Sequence, residues 1–539
     1  MAVEPGEVSE VSISEYEVGQ DNIQILGLDV HNPVFAVSAA LIIAFVALAL
    51  IFPQGAEDFF GWLRPALTST FDWVFLIAGN VFVLFGLFLI VSPYGSIRLG
   101  GKDAEPEFGY VGWFSMLFAA GMGIGLMFYG VSEPVTHYST SVASAAGSPD
   151  SWAPLQGAPD DPLGARRLGM AATIYHWGLH PWGIYAIVGL ALAFFCFNWG
   201  LPLTIRSAFY PILGERVWGW PGHVVDILAV FATLFGLATS LGLGAEQAMA
   251  GLHHLFGIPD TNLGNIILIV CITGVALTSV VAGLDAGVKR LSEINMALAL
   301  LLLAFVFAVG PTWSLVQGIF GNTVSYLANI LPLSNPFGRT DSNFLTGWTT
   351  FYWAWWMSWS PFVGIFIARV SRGRTIREFV TCVLIIPSVV SIIWMTIFGG
   401  TAITELIGGY TRVAEAELPL QLFAMLEQLP MSSITSFIGI VLVIVFFVTS
   451  SDSGSLVIDM ITAGGKVDAP VPQRVFWACF EGLVAIALLL GGGLASLQGA
   501  AIATGFPFAF LLLALCWGTY LGLRRERRQP FLETVTSED

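Results

Sequence analysis

The sequence predicts an all-α membrane protein that crosses the bilayer twelve times. Three observations lead there. The 539 residues are 56% hydrophobic and only 11% charged, whereas soluble chains carry about 25% charged residues. Apolar runs of about 20 residues recur along the whole chain, each long enough to cross roughly 30 Å of hydrocarbon as a helix. Finally, sixteen of the 21 Lys and Arg residues fall in loops on one side of a twelve-span arrangement with both ends cytoplasmic, and five fall on the other. Basic residues in short loops stay on the cytoplasmic side, and an odd span count would spoil the separation.

Taken in order, residues 1–33 contain seven acids and no Lys or Arg. No basic start precedes an apolar core, so this is not a secretory signal. It reads as a solvated, disordered acidic tail. The twelve-span domain is expected over 34–522. Its spans centre on 34–53, 71–93, 112–133, 171–196, 223–252, 263–283, 290–311, 346–368, 378–400, 432–454, 474–493 and 498–522. Residues 313–331 are too polar to span and read as an amphipathic helix at the interface or packed on the bundle. A short Arg-rich cytoplasmic tail, 523–539, closes the chain. The five cysteines, Cys196, Cys271, Cys382, Cys479 and Cys516, lie in or beside apolar spans without metal-ligand spacing and read as small hydrophobes.

Two spans carry helix breakers. The third contains Gly121-Met122-Gly123-Ile124-Gly125, and the eighth contains Ser358-Trp359-Ser360-Pro361. Glycine weakens a helix by about 1 kcal/mol and an internal proline by about 3. The two spans are five apart, as an inverted five-plus-five repeat of spans 3–7 and 8–12 requires, and such repeats place a binding site at interrupted helices. Close packing through small residues is the alternative.

Residues 350–362, TFYWAWWMSWSPF, hold seven aromatic residues, four of them Trp. Ring faces attract cations, and quaternary ammonium groups suit them best because they cannot donate N–H hydrogen bonds. On a helix Trp355, Trp356 and Trp359 lie at i,i+3 and i,i+4 spacings. The fourth span adds His176-Trp177-Gly178-Leu179-His180-Pro181-Trp182 and Tyr185. Its Trp177, Trp182 and Tyr185 fall within an arc of about 140°. An interfacial belt would explain Trp313 or Trp348, but not rings in the body of a span. His176 and His180 at i,i+4 lack a third ligand in the sequence, so no metal site is expected there. The tenth span offers Thr449 and Ser450, whose hydroxyls are hard ligands suited to Na⁺ or, equally, back-bonded to their own helix.

The motif WAWWMSWSPFVGIFIARVSRGRTIREF at 353–379, with GMGIG and HWGLHPW, resembles the betaine/carnitine/choline transporter family over about residues 30–525. The resemblance implies a leucine-transporter-like fold with two extra N-terminal helices, and a homotrimer in the bacterial inner membrane. It also implies uptake of quaternary-ammonium osmoprotectants. It implies a substrate site of Trp177, Trp182, Tyr185, Trp355, Trp356 and Trp359, with Met122, Gly125, Phe128 and Phe351 around it. In sodium-coupled members one ion would lie at Ala119, Met122, Phe446, Thr449 and Ser450, and a second near Thr233 and Phe362. Leu237 stands where the second site has another threonine. Choline transporters tend to carry Asp in place of Gly125, and sodium-independent exchangers place a positive charge in the fifth span, which lacks one here. Both features imply a zwitterion such as glycine betaine carried with Na⁺ as coupling ion. No other cofactor and no nucleic-acid partner is expected. Bulky rings at mid-span argue against a passive channel. The sequence also lacks paired catalytic acids or a hydrolase motif, so an intramembrane enzyme is not expected.

Overall fold

A computed structural model describes residues 12–144, 157–282, 285–339 and 341–531. The first eleven residues of the acidic segment, residue 283 at the end of the predicted sixth span and the last eight residues of the C-terminal tail lie outside them. The described chain opens with a hairpin of β1 (Asn22–Ile25) and β2 (Leu28–His31), followed by α1 (Val34–Ile51) and α2 (Pro53–Val91). A helix pair α3 (Tyr110–Gly121) and α4 (Ile124–Ala143) is bent by 62° at its junction. After it come α5 (Pro162–Trp177), α6 (Leu179–Trp199), α7 (Trp220–Phe256), α8 (Asn262–Ala282), α9 (Asp285–Val309) and α10 (Thr312–Ser334). The chain continues as α11 (Thr350–Arg369), α12 (Ile376–Ile407), α13 (Ser432–Thr462), α14 (Val471–Leu490) and α15 (Leu494–Arg528).

Among the described residues ten helical stretches, with α5 and α6 counted together, are long and apolar enough to cross a membrane, and the bent α3–α4 pair makes an eleventh. The twelfth follows from where the ends lie. Ile13 N donates to the Trp199 carbonyl at 3.0 Å, and Trp199 Nε1 donates to Glu526 at 2.8 Å. Both ends of the described chain therefore meet at the end of α6, on one face of the bundle, which requires an even number of crossings. α11 supplies the missing one. Its 20 residues span about 30 Å, running beside α6 from Thr349, bonded to His176, past the Gly364–Gly189 approach. Its Trp and Ser content keeps it from reading as a conventional apolar span, yet sixteen of its residues are buried against other helices. α10 does not cross. It lies along α5, with Ser325 Oγ donating to the Arg167 carbonyl and Tyr326 OH accepting from Leu179 N.

Three expectations change. Residues 12–33 are not a disordered tail: they form the hairpin and strap the face that carries the termini. Lys466 pairs with Asp29 at 2.5 Å, Asn22 Nδ2 donates to the Ala463 carbonyl, and Tyr16 stacks on Trp218 at 4.2 Å. A segment too poor in apolar residues to fold alone is ordered by these specific partners. The eighth span is not unwound at Ser358–Pro361, because α11 runs through it as helix. Pro361 cannot donate to the Met357 carbonyl four residues earlier, and Ser360 Oγ takes that acceptor at 2.7 Å. The last helix continues to Arg528, six residues beyond the predicted domain end, with Glu526 buried beneath Trp199.

The core is polarised. The most apolar window of the α5–α6 stretch is 94% buried, against 33% for α1 and 28% for α8. α5, α6 and α11 therefore form the centre, with α4 and α7 packed on them, while α1 and α8 present their sides to lipid. The five cysteines are unpaired, with Cys196 and Cys516 buried as expected and Cys271 exposed.

Candidate functional site

The third span breaks where its glycines fall. α3 ends at Gly121, Met122 and Gly123 are extended, and α4 restarts at Ile124. Backbone freed at mid-membrane is tolerated only where protein surrounds it, and aromatic rings surround this joint. A Cβ at Gly125 would stand 2.8 Å from Trp177 and 2.9 Å from Trp355, and one at Gly121 would touch Trp182 at 3.4 Å. The fourth span is broken as well, at Gly178 between α5 and α6, so Trp177 ends one helix and Trp182 opens the next.

The rings meet mostly at right angles. Trp356 lies 5.0 Å from Trp177 at 75° and 6.3 Å from Tyr185 at 75°, while Trp182 stands 5.2 Å from Tyr185 at 68°. Trp355 stacks on Trp356 at 4.7 Å and on Phe351 at 5.4 Å. Trp356 is thus a floor with Trp177 and Tyr185 as walls, a shape that offers faces from several directions to one cation. Their polar ends are tied down. Trp355 Nε1 donates to Ser240 at 3.1 Å, and Trp356 Nε1 donates to the His176 carbonyl at 3.0 Å. Phe128 is buried beside Tyr129, its ring 4.8 Å from it.

Trp359 is placed apart. Among the described residues its ring pairs with Phe362 at 5.1 Å, and its Nε1 donates to the Gly236 carbonyl at 2.8 Å, so it joins α11 to α7. It is the only one of the six predicted box residues that is not buried.

Local sequence does not single out Tyr129, Tyr352 or Glu133, which the structure brings to the same place. Glu133 is fully buried on α4 and accepts from Trp177 Nε1 at 2.7 Å, Tyr352 OH at 2.6 Å, His176 Nδ1 at 2.6 Å and His137 Nε2 at 3.3 Å. Its signal was present as Glu133-x-x-x-His137, but it sits at the predicted end of the third span. His176 thus turns to Glu133 rather than to His180, which stacks on Trp353 and bonds Asn80. Glu133, His137 and His176 bring three ligand-type atoms within 4.8 Å of one another.

The ion-site residues fall on several elements: Ala119 near the end of α3, Met122 in the break, Thr233 on α7, Phe362 on α11, and Phe446, Thr449 and Ser450 on α13, which packs on α7. The Ala119 carbonyl, at the end of α3, accepts from Met122 N at 3.2 Å. Phe446 is buried, and Thr449 Oγ1 bonds back to Val445 at 3.0 Å. Ser450 is half-buried one residue on. Thr233 bonds back to Ala229 at 2.7 Å. Leu237 packs on Gly454, where an added Cβ would lie 2.3 Å from the leucine methyl.

Comparison with known proteins decides what carries this geometry. The model of the betaine/carnitine/choline family transporters matches residues 33–528. The chain belongs to that family. A glycine betaine/proline/choline transporter of Vibrio parahaemolyticus is 60% identical over 523 residues, covering 96% of this chain and 95% of that one. Glycine betaine transporter 1 of the same organism is 54% identical, covering 96% and 98%. Glycine betaine transporter OpuD of Bacillus subtilis is 42% identical, covering 92% and 95%. The protein is therefore a betaine/carnitine/choline-family secondary transporter and not an enzyme. Its nearly all-helical fold carries the spans described above within residues 33–528, the stretch that the family model matches.

Proposed function

We propose that this transporter takes up glycine betaine, or a similar zwitterionic quaternary-ammonium osmoprotectant, together with Na⁺ by alternating access. The observation that carries the reading is the helix break at Met122–Gly123, set directly against the perpendicular rings of Trp177, Trp356 and Tyr185. The rings suit the trimethylammonium group, and the freed amides at the start of α4 suit the carboxylate. Gly125 brings no carboxylate of its own, which favours a substrate that carries one. The relatives described above share glycine betaine in their names.

The site comprises Trp177, Trp182, Tyr185, Trp355 and Trp356, with Met122, Gly125, Phe128 and Phe351 around it and Trp359 at its α7 edge. The coupling ion takes Ala119 and Met122 carbonyls with Phe446, Thr449 and Ser450. Leu237 favours a single ion over a second one at Thr233 and Phe362. The protein works in the bacterial inner membrane with both termini cytoplasmic, as a homotrimer.

Uptake of radiolabelled glycine betaine into proteoliposomes, with and without an inward Na⁺ gradient, tests this. Gradient-dependent accumulation that excess choline fails to compete is expected. Accumulation indifferent to Na⁺ would make the protein an exchanger or uniporter. Replacing Thr449 and Ser450 together by Ala should raise the Na⁺ concentration for half-maximal uptake by about tenfold, since two hard oxygen ligands are lost.

A further inference from the structure

We propose that Glu133 is a positioning residue that fixes the aromatic box and thereby sets substrate affinity. The inference rests on the box being the substrate site. A carboxylate in the middle of a membrane bundle is costly unless its oxygens are satisfied. Here one oxygen serves each side: Oε1 accepts from His137 and His176, and Oε2 accepts from Trp177 and Tyr352. The donors come from α4, α5 and α11, so one side chain ties three helices together at the box wall.

The choice of partners separates positioning from plain packing. An indole has a single polar handle, and that of Trp177 is spent on Glu133. Tyr352 is held through its hydroxyl by the same oxygen. Both rings then lean on Trp356, Trp177 at 75° and Tyr352 at 23°, and they stand at 71° to each other, 5.5 Å apart. Bridging two donors with one atom fixes that right angle. The charge matters as well as the shape. A carboxylate on the indole N–H polarises the ring and strengthens its face for a cation, at a site where low dielectric magnifies both effects. Gln in its place is nearly isosteric but removes the charge, and its amide NH₂ cannot take the place of the oxygen that accepts from the Trp177 N–H, a group that only donates.

The test measures glycine betaine binding by titration calorimetry, and uptake kinetics, for the intact transporter and for Glu133→Gln, Tyr352→Phe and Trp355→Ala. Expected is a Kd and KM about tenfold higher in Glu133→Gln, with maximal velocity per folded transporter changed far less. A smaller rise is expected in Tyr352→Phe, and the double variant should fall short of the product of the two, because both act through Oε2. Unchanged KM with reduced velocity in Glu133→Gln would mean a merely structural role and overturn the proposal. Should Glu133→Gln fail to fold, Tyr352→Phe with wild-type affinity overturns it equally. If Trp355→Ala also binds normally, the box itself is not the substrate site. If Trp355→Ala binds weakly and Glu133→Gln normally, only the role of Glu133 falls.

Discussion

At the scale of single residues, Gly125 shows how tightly the box is drawn. Any side chain there enters the gap between Trp177 and Trp355, each held by a hydrogen bond of its own. Gly125→Asp should weaken glycine betaine binding by tenfold or more while improving the relative standing of choline, since the new carboxylate balances a net cation. Competition of radiolabelled betaine by choline in the variant and the parent reads both changes, and an unaltered ratio would count against charge balance as the selector. The three glycines were legible because no other residue explains their spacing within an apolar run. Glu133 was not, because what makes it matter are partners 43, 44 and 219 positions away. Local sequence shows only an acid at a span boundary. Nor did helical spacing reveal that Trp359 turns to the Gly236 carbonyl, since a helix with rings on every side has no single face.

At the scale of elements, two similar breaker patterns gave opposite results. Gly121–Gly125 opened the third span, whereas Ser358–Pro361 left α11 helical. Glycine loosens a helix without offering a replacement bond, but Ser360 supplies the donor that Pro361 lacks. Ser360→Ala should therefore lower stability by about 1–2 kcal/mol, and adding Pro361→Ala should restore most of it by returning an N–H beneath the Met357 carbonyl. Thermal melts of the purified single and double variants check this, and a double variant less stable than Ser360→Ala would show that the helix needs its proline. The hairpin is the other element the sequence concealed. Its turn is Leu26-Gly27, with φ of +52° and +81°, a backbone usually announced by Asn-Gly or Asp-Gly.

At the scale of the molecule, the twelve spans and the shared face of both ends were legible from length, hydropathy and the distribution of basic residues. The strap of residues 12–33 was not, because its partners Lys466, Gln473 and Trp218 lie far along the chain. His31 within it is buried between His223 and Arg206, and burial together with the Arg206 guanidinium pushes it down to about 3. Released from the bundle, the same imidazole would titrate near its ordinary 6.5. Its neutral, bonded form therefore favours attachment fully above about pH 6.5, and that contribution fades as the pH falls below it. Limited proteolysis of the strap should accelerate between pH 7.5 and 5.5, and a rate independent of pH would remove His31 from the attachment.

The composition of α11 has a consequence for biosynthesis. Hydroxyls, a proline and indole N–H groups make Thr350–Arg369 a poor candidate to leave the translocon for lipid by itself. α2, α6 and α7, which it packs against, are made earlier. The segment that carries half of the binding rings thus enters the bilayer as a guest of helices already inserted, and its membrane insertion is itself a tertiary event.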